Sequence, residues 1–413
     1  MRGQAIFILL LLVSTIASSK TWVVESTGKF NSVKSALEQA ANGDTIRILP
    51  GHYREGSLKI NKSVTIIGVG YPVIDGENKF EIFSVSAPDV SIIGLRLVNT
   101  GIGSIDDISA VNALTSDRLR VLNNKLENTF FGIHLLNSNG CLVEGNTLRS
   151  GMLTDNESGN GIHAWKCDSL TVRNNDVSGH RDGVYFEFVT NSLVEKNISH
   201  ANLRYGLHFM FSQNNEYRDN IFRDNGAGVA VMYSHGVRMI GNHFEDNWGA
   251  AAYGVLLKDI SDSFIDQNLF SRNTAGLYLE GTNRSIFSRN VFEENGWAVR
   301  MQSNCDGNVF EHNTFVSNTF DISTNGTMVL NTLDYNYWDK YEGYDLDKDN
   351  IGDVPFHPVS LYSMVVEKMP ASIMLWRSFL VYLLDRTEKV IPSVTPENLV
   401  DMHPKMRLVG DKQ

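Results

Sequence analysis

His208, Met210 and Met232 are the residues of this chain whose types and spacing first suggest chemistry. On a strand, His208 and Met210 lie two apart and share a face. Imidazole with thioether is the donor combination that favours soft Cu(I) over hard ions. The plainer reading of the same residues is an aromatic and methionine surface that packs on a loop or a partner. A second candidate is the acidic loop, where Asp345, Asp347, Asp349 and Asp353 stand at positions 1, 3, 5 and 9. That spacing resembles a calcium loop, but Asn350 replaces the expected Gly and no Glu stands at position 12. A solvated acidic turn fits equally well. A third set, His163, Asp182, Tyr185 and Glu187, supplies the groups an acid/base pair on a polysaccharide would need. Cys141, Cys167 and Cys305 form no CxxC pair and read as buried free thiols.

A repeat must position these side chains. One Asn recurs at 124, 146, 175, 197, 220, 242, 268, 290 and 313, a period of about 22 with two insertions. From Asn197 onward a second Asn follows five residues later, and an apolar column runs through Phe222, Phe244, Phe270, Phe292 and Phe315. A third column is a strand-opening Gly at 132, 161, 183, 206, 228, 254 and 276. Three short strands per period predict an all-β fold, a right-handed parallel β-helix of the pectin-lyase type. Each of its coils lies about 4.8 Å above the last. Counting from each Gly, the +1 and +3 residues are apolar and face the core, so +2 and +4 face outward. Outward fall His134, His163, Tyr185 and His208 at +2, and Glu187, Met210 and Met232 at +4. Met239 and Met301 fall in core columns. His134 and His163 read as satisfied surface histidines.

The ends read differently. Arg2, the apolar run Ala5–Val13 and the small residues Ala17, Ser18 and Ser19 have the grammar of a secretory signal over 1–19. The β-helix spans 20–340, with an N-terminal cap at 21–60 built on a helix near 31–41. An acidic loop follows at 341–360, then an apolar helical segment and tail at 361–413. The stretch Pro370–Leu384 is too short to span a bilayer. It caps the solenoid or docks on a membrane or membrane protein. A net charge of −11 argues against a nucleic-acid partner.

Three runs carry a family resemblance: Arg204-Tyr-Gly-Leu-His-Phe-Met-Phe-Ser212, Asp224-Asn-Gly-Ala-Gly-Val-Ala-Val-Met-Tyr-Ser234 and Trp248-Gly-Ala-Ala-Ala-Tyr-Gly-Val-Leu-Leu-Lys-Asp259. They resemble the NosD family, the periplasmic maturation factor of nitrous oxide reductase. The earlier runs Pro50-Gly-His-Tyr53 and Pro72-Val-Ile-Asp-Gly76 resemble the wider carbohydrate-binding and sugar-hydrolase β-helix repeats. The NosD resemblance implies a periplasmic protein attached peripherally to an inner-membrane complex. Its implied partners are an ABC transporter's membrane subunit and ATPase, a lipoprotein copper chaperone, and nitrous oxide reductase as client. It implies copper handled as Cu(I), with Gly206, His208 and Met210 on one family motif and Met232, Tyr233 and Ser234 on another. His235, after that Ser, is an extra candidate ligand. It also gives the C-terminal segment a role in docking on the transporter. The rival class is a secreted lyase, hydrolase or epimerase, although no Asp-Pro-His-Asp motif or paired-Asp set is present. A passive adhesive solenoid is a third class, and it would show no Cu(I) affinity.

Overall fold

The computed structural model describes residues 19–25, 30–103, 107–151, 154, 158–249, 252–326, 330–388 and 399–407. The expected signal segment lies almost wholly outside them. Among the described residues the chain winds as a right-handed parallel β-helix with three sheets, of 14, 12 and 13 strands, each strand pairing with its counterpart one coil away. The site lies on the 12-stranded sheet, which runs from Leu58–Ile60 to Phe320–Thr324.

The stacked columns explain why this sequence winds so regularly. Phe222, Phe244, Phe270, Phe292 and Phe315 stack with centroids 5.6, 4.9, 4.6 and 4.9 Å apart, and Trp338 closes the column 4.1 Å beyond. Met239 and Met301 are fully buried, as their columns require. At one corner each Asn bonds to the next coil. Asn220 Nδ2 donates to Val194 O and to Asn242 Oδ1, both at 2.9 Å, and its backbone N–H donates to the same Oδ1. One amide therefore satisfies the turn's backbone and links two coils, which the buried corner demands. The strand-opening Gly is equally constrained: a Cβ on Gly206 would lie 2.8 Å from Gly228 O and from Asn225 Nδ2.

Both ends are sealed by local chemistry. The helix Val33–Gln39 lies over the first coils, with Val33, Ala36 and Leu37 buried. Glu55 accepts hydrogen bonds from Val33 N, Lys34 N and Ser32 Oγ at its N-terminus. At its other end Lys62 Nζ donates to the carbonyls of Leu37, Glu38 and Ala40, the charge placement a helix dipole favours. At the far end, a contribution the repeat does not foretell comes from the tail. Asp401, fully buried, takes the next rung of the first Asn ladder. Its Oδ2 accepts from Asn336 N and Nδ2 at 3.0 Å and from Trp338 Nε1 at 2.9 Å.

Between these points the chain forms helix Leu361–Lys368, a 3₁₀ turn at Pro370–Leu375 and helix Phe379–Glu388. Tyr362, Val366 and Val381 pack on Phe320, and Arg300 pairs with Glu367 at 2.8 Å. Much of the segment's apolar surface remains outward, with Met374 88% and Phe379 77% exposed. No helix among the described residues is long and apolar enough to cross a membrane.

Candidate functional site

Strand Tyr205–Met210 lies between Asp182–Glu187 and Ala227–Met232 on the outer face of the 12-stranded sheet. In-register pairing sets Met210 beside Met232 and beside Glu187, and His208 beside Tyr185 and Ala230. Both methionines are half-buried. The Met210 sulfur accepts from Tyr185 Oη at 3.6 Å, and the same hydroxyl lies 3.2 Å from Glu187 Oε2. Burial, reinforced by the Glu187 charge, pushes the Tyr185 phenol above its ordinary range, so it remains a donor. Beyond Met232 on the same column, Lys258 pairs with Glu280 at 2.9 Å and closes the soft stretch with charge.

His208 is on this face but is not free surface: it is only 6% exposed. Tyr185 and Tyr205 enclose its ring at centroid distances of 4.9 and 4.8 Å. Its Nδ1 lies 3.4 Å from Asp182 Oδ2. Asp182 is fully buried and forked by Arg204, with Nε at 3.0 Å and Nη2 at 2.7 Å. Burial alone would favour its protonated form, but hydrogen bonds from His208 and Arg204 outweigh that and hold the carboxyl below its ordinary range. The tautomer that donates from Nδ1 to this carboxylate leaves the Nε2 lone pair open, and Nε2 is buried without a partner. The arrangement is thus an oriented imidazole two residues from a thioether that has a second thioether on the next coil. An imidazole and two thioethers are the kind of donors a soft monovalent ion prefers.

Two expectations need correction. His134 and His163 are not satisfied surface histidines: His134 is 5% exposed, and the ring nitrogens of His163 are buried with no partner. The cover comes from residues outside the strand columns, including Phe131, whose ring lies 5.7 and 5.5 Å from theirs. The column does point outward, but outward is not the same as exposed. His235 is exposed on the turn past Met232, bridging toward Ser261, so it belongs to the corner and not to the strand face. The polysaccharide set does assemble, with His163 4.8 Å from Tyr185 ring to ring. Yet Asp182 is consumed by Arg204.

Asp345, Asp347 and Asp349 do converge, one carboxylate oxygen of each lying within 4.8 Å of the others. Much of that geometry serves the turn: Asp345 accepts from Lys348 N, Asp349 N and Asn350 N. The charge of Asp349 raises the Asp347 carboxyl above its ordinary range.

One feature of the face escaped the sequence reading. Immediately after Glu187, Met210 and Met232 come Phe188, Phe211 and Tyr233, exposed and stacked at 5.2 and 5.0 Å. All three have positive φ, between 50° and 55°. The same corner position is left-handed in Asn137, Lys166 and Asp259 on other coils, so the turn imposes it and the aromatics take it at some cost. The signal was three aromatics at +5 from successive glycines.

Fold and face together define a parallel β-helix that carries a line of soft donors beside an exposed aromatic stripe. Residues 149–344, which include every one of those donors, match the family described as "Periplasmic copper-binding protein (NosD)". A Stutzerimonas stutzeri protein named "Probable ABC transporter binding protein NosD" is 26% identical over 401 residues, covering 92% of this chain and 90% of its own length. The protein of the same name from Pseudomonas aeruginosa is 27% identical over 392 residues and 90% of each chain. The chain is thus similar to the NosD family across its central coils and to two relatives of that name over most of its length. Among solved structures, the catalytic unit of a thermostable alpha-1,3-glucanase from Streptomyces thermodiastaticus matches with a TM-score of 0.58 at 15% identity, over 77% of this chain and 68% of that one. At that identity the likeness speaks for the fold alone.

Proposed function

We propose that this protein is a periplasmic copper-handling factor in the maturation of nitrous oxide reductase, working with an ABC transporter and a lipoprotein copper chaperone. One observation carries the reading: Met210 and Met232 are in register on adjacent coils, within the part of the chain that matches a family described as copper-binding. Adjacent coils are about 4.8 Å apart, close enough for two thioethers to share one ion. Met210 and Met232 would hold Cu(I) as cargo, with His208 Nε2 as a third donor. A site of neutral soft ligands exchanges metal readily, which suits transfer better than storage. The relatives' name, ABC transporter binding protein, supports a transporter as partner. The exposed apolar face of Pro370–Leu384 supplies a surface suited to its membrane subunit. The Asp345 loop is the place where calcium would bind; isothermal titration with Ca²⁺ tests that part separately.

The decisive experiment is Met210→Ala with Met232→Ala. Both side chains lie outside the core, so the fold should survive, while reductase made in the variant's presence should be poor in copper. Normal copper loading would sink the assignment and leave a protein-docking patch. We read the protein as a binding protein and not as an enzyme: its relatives are named as binding proteins, and the one buried carboxylate of the rival set is locked to Arg204. Turnover of uronic-acid polymers would overturn that.

A further inference from the structure

Below the methionine pair, the same face holds a group of buried polar atoms that no described residue satisfies. His163 has both ring nitrogens buried without a partner, His134 its Nδ1, and Asn160 both atoms of its amide. Every neutral imidazole carries one N–H and one lone pair. Leaving them unmet in the interior is costly, and such groups point to an ordered water or an ion. The two rings are partners across the sheet, stacked at 4.7 Å with planes 28° apart. Phe131 walls them on one side and Tyr185 on the other.

The electrostatics select among occupants. Burial, with help from the neighbouring His134 and Arg181, pushes His163 down to about 3, and burial lowers His134 as well. Both rings are therefore neutral at physiological pH, with their lone pairs available. Aromatic walls and uncharged nitrogens disfavour a divalent ion, whose burial needs carboxylates to offset it. They suit a soft monovalent ion held by two imidazoles, and the broad χ2 wells of histidine allow each ring to turn a nitrogen toward a shared point.

We propose that His134 and His163 form a second Cu(I) station on the outer face, separate from the methionine pair. The inference takes copper as the cargo from the reading above, but its residues are different. Tyr185 lies between the two stations, its hydroxyl engaged by Glu187 and Met210. His163 and His208 are two coils apart, about 10 Å, so the stations hold separate ions.

The test is an anaerobic titration of the full chain with Cu(I) against the chelator bicinchoninate. His134→Phe with His163→Phe keeps the ring stack and should lose one bound equivalent. Met210→Leu with Met232→Leu should lose a different one, so the fourfold variant loses both. Should the histidine variant fold poorly, ¹⁵N resonances of His134 and His163 in the unsubstituted protein decide: they should shift on adding Cu(I). An unchanged Cu(I) count in the folded histidine variant, or unmoved resonances, overturns the station. A full count in the methionine variant alone would instead defeat the methionine reading and leave the histidine station standing.

Discussion

Phe270 lies between Phe244 and Phe292 in the inner stack, fully buried. Truncation removes both ring contacts and leaves a cavity that in-register neighbours cannot fill, so Phe270→Ala should cost about 3–5 kcal/mol. Urea denaturation measures it; a loss below about 1 kcal/mol would contradict the register. At this scale the repeat made core methionines legible: Met239 and Met301 occupy apolar columns, while Met210 and Met232 do not. It did not make the burial of His134 and His163 legible, because alternation fixes which way a side chain points and not what lies over it. Phe131 lies on the strand but ahead of its Gly, and the pair Asp182–Arg204 beside His208 also stands outside the alternating columns.

Asp401 shows how an element can be completed from a distance. Three buried donors converge on one carboxylate oxygen, so Asp401→Ala should strand them at about 1–3 kcal/mol each. Asp401→Asn keeps an acceptor and should cost far less. Hydrogen exchange at Asn336 and at the Trp338 indole would show the last coil opening in the first variant and not in the second. Because residues 399–407 return to the β-helix, cutting the chain at Pro370 would remove this cap too. Replacing Pro370–Leu384 with a Gly/Ser linker is the cleaner change. It should leave the solenoid folded and release the protein from the transporter's membrane subunit; continued co-purification with that subunit would defeat the docking assignment. The helical character of this segment was legible from its apolar content, but the return of Asp401 was not. A lone Asp far beyond the last repeat carries no periodic signal.

For the whole molecule, the buried titrating groups set opposing pH slopes. His163 is pushed down to about 3 and His180 to about 4 by burial. Against an unfolded value near 6.5, the unfolded chain takes up these protons first, so their contribution to stability is complete above about 6.5 and is lost as the pH falls toward 3. Burial raises Asp321 to about 6, so its contribution is present below about 4 and is lost as the pH rises through 6. Two histidines against one carboxyl should leave net destabilisation on acidification between 6 and 4. His180 also takes the second Asn ladder's next position, its backbone N–H donating to Asn202 Oδ1 at 3.2 Å. His180→Asn should therefore extend that ladder and flatten the acid limb, read as midpoint against pH; an unchanged limb would refute the assignment. The architecture itself was the most legible feature of all, since two Asn columns, a Phe column and a Gly column must each be satisfied by the same winding.

The helical segment is sewn into the β-helix at both of its ends. Val359 bridges to Ile322 before it, and Asp401 is bound to Asn336 and Trp338 after it. Mechanically it is a closed handle and not a dangling tether. A pull on it divides between two seams at the same terminal coil, and either seam can part while the other still bears the load. What is grasped outside the solenoid is thereby felt as tension at the end of a stiff column whose coils are hydrogen-bonded in series along one axis, with the metal-donor face lying further down that axis.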